Sequence, residues 1–362
     1  MTAASPTAAQ LLDQALARRD AADYTAALAW AARAREVAGP SAEPAELVPV
    51  LLVEGRLHQQ LGNLTRAAQA CRQALALVAR QSGTERVGLY VQARTALAGV
   101  LRAQGRYAEA IRLFRSTLTL AEAELGPDAE QVACLCNDLA VTFKYSGHFT
   151  EAEQLYRRVL TILKRTHGPV HTEVATVYHN LGGLAHARGD FTAAEPLARR
   201  SVALREQALG PGHITVAADR AALAAICDAL GRQEEAEALL RQALAVFESV
   251  YGAEHHEIAI TLNNLAAIAY RRGRTEEAET LFRRAMTIKE RVLGTDHPEL
   301  APTLHNLAQV RRARGDLHEA AALSRRAVAV LQGTVEDSHP LLATCRSADP
   351  TTTTPGPGAA TP

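Results

Sequence analysis

The feature that most constrains this chain is a spacing. Gly105, Gly147, Gly189, Gly231, Gly273 and Gly315 follow one another at intervals of 42 residues, and each opens a similar phrase: GRYAEA, GHFTEA, GDFTAA, GRQEEA, GRTEEA, GDLHEA. Two looser copies precede them at Gly62 (GNLTRA) and Ala22 (ADYTAA), 43 and 40 residues from their successors. A period of this length means a small unit stacked on copies of itself, because one unit alone cannot bury its apolar face. Eight units fill most of the chain.

Each unit reads as two helices. Before the glycine, apolar residues recur at i, i+3, i+4 and i+7, as in Leu262, Leu265, Ala266 and Ala269, which marks one face of a helix. Glycine ends that helix because it takes a left-handed cap at little cost. Asn63, Asp190 and Asp316 are placed to cap the next helix. That second helix, Glu276 to Leu293 in the seventh unit, turns Ala278, Leu281, Phe282 and Ala285 inward. It stops at a second glycine turn (LGPD, HGPV, LGPG, YGAE, LGTD), after which Asp296 and Glu299 have capping-box spacing.

The phrase Leu-x-Asn-Leu-Ala, then Gly-Arg-x-Glu-Glu-Ala-Glu, Phe-Arg-Arg-Ala and Leu-Gly-x-Asp-His-Pro-Glu-Leu-Ala resembles the tetratricopeptide repeat in its 42-residue form, the form used by kinesin light chains. The resemblance covers roughly residues 9 to 343 and implies an all-α, right-handed superhelix of about eight helix-turn-helix repeats. Repeats 1 and 2 depart from it, with Gln14 and Glu54 at the usual leucine position, either as a polar capping face or in another register. The His339-Pro340-Leu341-Leu342-Ala343 run repeats His297-Pro298-Glu299-Leu300-Ala301, so a truncated ninth repeat is expected to supply a short capping helix over 339–347. Residues 1–8 are expected to be disordered, residues 9–343 to form the solenoid, and residues 344–362 to form a Thr/Pro/Gly-rich disordered tail.

Composition narrows the function. Only 4% of residues are aromatic, and Lys+Arg equals Asp+Glu at 39 each. A nucleic-acid binder needs a net basic face, so nucleic acid is not an expected partner. Met1 to Gln14 shows neither a basic n-region nor an apolar h-region, and no apolar run is long enough to cross a membrane. Cys71, Cys134, Cys136, Cys227 and Cys345 form no CxxC pair. These features point to a reduced, cytoplasmic setting with no membrane partner, and Ala/Arg-rich usage fits a high-GC bacterial source.

The family resemblance implies that the first helix of each pair lines a concave groove. Counting from the turn glycine, one stripe carries Thr95, Gly99 and Arg102, then Asn137, Asp138, Val141, Lys144 and Tyr145. It continues with His179, Asn180, Gly183 and His186, then Ala221, Ala222, Ala225 and Asp228. The seventh repeat adds Asn263, Asn264, Ala267, Tyr270 and Arg271, and the eighth His305, Asn306, Gln309 and Arg312. A carboxamide both donates and accepts, so it can pair with a peptide bond. In related repeats asparagine clamps ligand backbone, which the resemblance implies for Asn180, Asn264 and Asn306. The bland alternative is a polar residue that merely suits the repeat. The alanines of repeat 6 suggest a shallow apolar pocket around Ala222, against close helix contact or no role. Lys144, Arg271 and Arg312 would favour an acidic ligand.

Other constellations are weaker. His171, His213, His255 and His297 recur 42 residues apart, too far between stacked units to share an ion, so they are read as helix caps and no metal is expected. Cys71, Cys136 and Cys227 fall on core phases, leaving Cys134, on the concave side, and Cys345, in the tail, as candidates for reactivity. Glu153/Arg157, Glu195/Arg199, Glu237/Arg241 and Glu279/Arg283 read as i, i+4 pairs on a solvated outer face, or as a second, electrostatic binding strip. Arg94 and Arg220 either snorkel or belong to rotated helices. No phosphate loop, dinucleotide fingerprint or hydrolase motif occurs, so no cofactor and no catalytic residue is assigned. The expected role is a scaffold or adaptor holding an extended peptide segment of a protein partner, with its identity and the oligomeric state open. A sensor of peptides or small molecules is one alternative. An accessory subunit or atypical enzyme using His179, His186 and Asp228 is another.

Overall fold

The computed structural model describes residues 6–20, 23–39, 42–79, 85–332 and 340–347. The chain divides into two compact units, Met1–Arg188 and Gly189–Pro362. The described residues are 85% helical, with no strand among them. The first unit holds α1 (Ala8–Asp20) and α2 (Tyr24–Ala38), α3 (Pro44–Gln60) and α4 (Leu64–Val78), α5 (Glu85–Ala103) and α6 (Tyr107–Leu125), α7 (Glu130–Tyr145) and α8 (Phe149–His167), and α9 (Thr172–Ala187). The second holds α10 (Phe191–Leu209), α11 (Ile214–Ala229) and α12 (Gln233–Tyr251), then α13 (His256–Arg271) and α14 (Thr275–Leu293). A one-turn 3-10 helix (Pro298–Leu300) comes next, then α15 (Ala301–Ala313), α16 (Leu317–Leu331) and α17 (Pro340–Ser347).

Packing follows from side-chain size. In α13 Leu262, Leu265, Ala266 and Ala269 are at most 3% exposed, and Ala278, Phe282 and Ala285 of α14 meet them; Leu281 is half-buried. Small residues on these faces let the two helices approach closely, while the Phe282 ring fills the space between them. Turn geometry is set by left-handed glycine. Gly147 has φ 81°, its N–H bonds Lys144 O at 3.2 Å, and the His148 N–H bonds Phe143 O at 2.8 Å. Those two bonds satisfy carbonyls that the end of α7 would otherwise leave open.

Within each unit the first helices also pack on one another, α3 on α5, α5 on α7 and α7 on α9 in the first, α13 on α15 in the second. Second helices make no contact of comparable extent with each other. The first-helix layer is therefore the inner wall of each unit.

The early register differs from the sequence reading. Gln14 is exposed, and Ala8, Leu11 and Ala15 form the buried face of α1. Glu54 is buried, 4% exposed, and paired with Arg35 at 3.0 Å. Among the expected caps, Asp190 accepts from Ala193 N at 2.9 Å and Asp316 from Glu319 N at 3.0 Å. Asn63 stands at the N-cap of α4 without a side-chain cap bond. The cap after α14 is His297 rather than Asp296.

The capping helix exists as α17. Leu342 and Cys345 are buried against the last repeat, so ordered structure runs past the expected start of a tail at 344. Ala22, His339, residues 1–5 and residues 348–362 lie outside the described residues.

Candidate groove on the first helices

A first helix buried on the side facing its partner and neighbours leaves one stripe open, at the spacing of one residue per turn. In α13 that stripe is Ile260, Asn263, Asn264, Ala267, Tyr270 and Arg271. In α7 it is Cys134, Asn137, Asp138, Val141, Lys144 and Tyr145, and in α9 Thr176, His179, Asn180, Gly183 and His186. These are the positions read from the sequence, extended by one turn at the N-terminal end. Cys134 was read on this side from the sequence; its equivalents (Gln92, Thr176, Ala218, Ile260, Pro302) keep the same 42-residue phase and could have been found by stepping the stripe back three residues.

In the first unit the candidates engage one another. Asn180 donates from Nδ2 to Asn137 Oδ1 at 2.9 Å, so one clamp donor is already used. Lys144 lies over the Tyr145 ring, 5.6 Å from its centroid, and burial pushes its pKa down. A Cβ on Gly183 would come within 3.2 Å of the Lys144 ammonium, so glycine there leaves the lysine its place. His179 is half-buried and His186 exposed. Asp138 is half-buried, and burial raises its pKa against the opposing pull of Arg102 and Arg56. The Arg102 guanidinium stays 3.9 Å from its carboxylate and donates instead to the Asp138 carbonyl at 3.4 Å.

Two cavities flank Asp138. One of about 610 Å³ is lined by residues of α3, α5 and α7, including Arg56, Gln59, Thr95, Gly99, Arg102, Cys134 and Asp138. Arg56 and Gln59 went unread because repeat 2 lies one residue off the common period. The other, about 360 Å³, sits among α7, α8 and α9 and includes Cys134, Asn137, Asp138, Glu173 and Thr176.

In the second unit Ala221, Ala222 and Ala225 lie on the open face of α11 and line none of the cavities described here. Asp228 binds Arg271 through both carboxylate oxygens, at 2.6 and 2.5 Å. Arg271 is thus already neutralised and is a poor attractor of acidic residues. His305 is buried, 8% exposed, its Nε2 lies 2.6 Å from Gln309 Nε2, and desolvation, with Arg312 adding to it, lowers its pKa. The Thr303 hydroxyl donates to Asn263 at 3.1 Å. Asn264 and Asn306 are half-buried and make no side-chain hydrogen bond to another described residue. A cavity of about 250 Å³ gathers Ala267, Tyr270, Arg271, Phe282, Asn306 and Gln309.

The outer face is more than solvated charge. All four Glu/Arg pairs form, and each glutamate reaches on to an arginine of the following turn: Glu153 to Arg188 at 2.6 Å, Glu195 to Arg232 at 2.5 Å, Glu237 to Arg274 at 2.5 Å and Glu279 to Arg314 at 2.7 Å. The arginines in turn reach the next second helix, Arg241 to Glu277 at 2.8 Å and Arg283 to Glu319 at 2.7 Å. Hydrogen bonds from arginine hold Glu195 and Glu237 at about 2, well below the usual carboxylate range. With its cations matched in this way, the strip is a tie between repeats.

The recurring histidines cap helices. His171, His213, His255 and His297 each accept, through Nδ1, the N–H two residues on, at 3.2–3.3 Å. His167, His171 and Glu173 bring three ligand atoms within 4.8 Å of one another. The two imidazoles stack, with centroids 4.4 Å apart and planes 16° from parallel, so an ion lying in both ring planes would require one ring to turn. Arg94 bonds Thr117 at 2.8 Å and Tyr90 at 3.1 Å, and Arg220 pairs with Glu206 at 2.7 Å; both therefore tie first helices to second ones. Cys345 is buried in α17 and Cys134 is exposed. Burial, with Glu173, Asp138 and Glu130 nearby, raises the Cys134 thiol, which opposes reactivity.

No helix among the described residues is long and apolar enough to cross a membrane. No curated protein matches the sequence. Among solved structures, BtubC (BKLC) from P. vanneervenii is 26% identical, with 65% of this chain and 92% of that one covered and a TM-score of 0.50. The kinesin light chain nearly identical TPR-like repeats of Podosopora anserina are 27% identical over 55% of this chain and 94% of that one, at 0.47. The apo quorum sensor NprR from B. thuringiensis shares the fold at 14% identity, covering 89% of this chain and 86% of that one, at 0.60. The tetratricopeptide-repeat family model matches residues 90–165, 173–249 and 257–333, and the chain belongs to that family.

Proposed function

We propose that this protein is a non-catalytic scaffold or adaptor of the cytoplasm that holds an extended peptide segment of a partner protein on the open faces of its first helices. One observation carries the reading. Asn264 and Asn306, one repeat apart on α13 and α15, are half-buried and make no side-chain hydrogen bond to another described residue, so their carboxamides are available to a ligand. An extended strand offers alternating N–H and C=O groups that such carboxamides can take up. The 250 Å³ cavity beside Asn306 is of a size for one side chain. Ala222 and Ala225 leave α11 open to a bulky residue, and Asn180 keeps its carbonyl oxygen for a ligand.

The test is capture of binding partners on wild type and on the Asn180/Asn264/Asn306→Ala variant, read by mass spectrometry of proteins and metabolites together. Loss of one polypeptide from the variant alone supports the reading. A stoichiometric small molecule, retained by both, would replace it with a sensor. Ala222→Trp should weaken capture without lowering the melting temperature.

A further inference from the structure

We infer that the cavity among α7, α8 and α9 is a specificity pocket for a lysine or arginine side chain of the bound peptide. This rests on the groove reading above and reverses the charge preference that the sequence alone suggested.

The cavity measures about 360 Å³. Its apolar wall is Ala133, Val159, Leu163 and Val177, each at most 5% exposed. Two carboxylates, Asp138 and Glu173, stand at its polar side, and no lysine, arginine or histidine lines it. A long basic side chain matches this division: its methylene stem covers apolar wall while its head reaches charge.

The charges around the pocket are accounted for. Arg102 approaches the Asp138 carboxylate no closer than 3.9 Å, and Arg56 acts on it from the neighbouring cavity. No described residue donates a hydrogen bond to that carboxylate. His167 Nε2 is 3.3 Å from Glu173, whose side chain remains 44% exposed. The Cys134 thiol lines the same cavity and is pushed up by burial and then by Glu173 and Asp138, in keeping with the negative charge those carboxylates place there. A half-desolvated carboxylate without a hydrogen-bond donor gains most from a cation that arrives with the ligand.

Selection of a random decapeptide display library on the intact chain, and on the Asp138→Asn/Glu173→Gln variant, tests the pocket. Wild type should enrich peptides with Lys or Arg at one fixed position, and the variant should lose that preference alone. The selected peptide, made with norleucine at that position, should bind wild type about tenfold more weakly, equal to roughly 1.4 kcal/mol. That arm needs no variant to fold. The original peptide should also slow alkylation of Cys134, the exposed cysteine. Enrichment without a basic position, equal binding of the norleucine peptide, or unslowed alkylation overturns the pocket and leaves the groove reading standing. A library that enriches no peptide at all overturns the groove reading, and the pocket with it.

Discussion

The first two repeats and the regular later ones solve the same packing problem by different means. Helix α3 buries nine residues, Leu47, Val48, Val50, Leu51, Leu52, Val53, Glu54, Gly55 and Leu57, and rests on apolar contact over most of its length. The later repeats bury less per first helix and are tied across the outer face by arginine and glutamate. The difference is written in one phase. Where repeats 4 to 7 have Glu153, Glu195, Glu237 and Glu279, repeats 2 and 3 have Ala68 and Ile111. In repeats 4 to 7 a carboxylate meets a guanidinium of the following turn, whereas repeats 2 and 3 carry an apolar side chain at that phase, although repeat 3 also stands 42 residues before its successor. The outer-face tie thus follows the residue at this one phase, and repeat length alone does not decide it.

Six substitutions break or sharpen that contrast. The largest effect is expected at the ring that fills the space between α13 and α14. Phe282→Ala should cost about 3–5 kcal/mol, whereas Cys71→Ala, at the matching place in repeat 2, should cost less than half as much by urea denaturation. There Gly55 already lets Cys71 in, a Cβ on Gly55 falling 3.1 Å from its sulfur, so little ring-sized space exists to lose. Equal losses would erase the distinction.

Next come two glutamates, half-buried Glu237 and buried Glu54, which respond to pH in opposite senses. Glu237→Gln should cost about 1–3 kcal/mol near neutrality. Because the folded pKa of Glu237 is depressed to about 2, its contribution is present above the usual 4.5 and is lost as pH falls through about 2. The gap to wild type should close over that window in thermal melts. Glu54 runs the other way. Burial raises its pKa more than Arg35 lowers it, so the folded state holds its proton longer and stability falls as pH rises above the usual 4.5. Glu54→Gln should therefore gain on wild type with rising pH. Parallel pH profiles would sink the contrast.

A smaller effect belongs to the caps. His255→Ala should cost about 1 kcal/mol. Burial lowers the His255 pKa, so its bond is intact above the usual 6.5 and disappears as acid protonates Nδ1. A variant whose deficit persisted unchanged into acid would show that packing on Tyr251, with ring centroids 3.7 Å apart, matters more than the cap. Smallest of all, Arg157→Ala should change stability by less than about 0.5 kcal/mol, since its side chain is 72% exposed and Glu153 keeps Arg188.

The fold was legible because glycine and alanine recur at one period. Leu262, Leu265, Ala266 and Ala269 declared a buried face, and helix geometry then placed Asn264 and Tyr270 on the open one. What the sequence hid were relations between repeats. That Arg271 is held by Asp228, Asn180 by Asn137 and His305 by burial depends on residues some forty positions away meeting side by side, and one helix's pattern carries no sign of it. Register was the other blind spot. One residue of drift in repeat 2 concealed Arg56 and Gln59 and made Glu54 look like a solvent-facing cap. Cys345 was read as tail because Thr, Pro and Gly dominate the residues beyond it, although its own turn, Leu341 to Cys345, has helical apolar spacing.

The ties on the outer face have a consequence for change over time. Arg199 and Glu235, Arg241 and Glu277, and Arg283 and Glu319 are all 36 positions apart. One residue inserted within a second helix would swing every later side chain on that helix by about 100° and part all the couples it bears. Duplication or exchange in this stretch can succeed by moving complete 42-residue cassettes, and ragged lengths are selected against by charge as well as by shape.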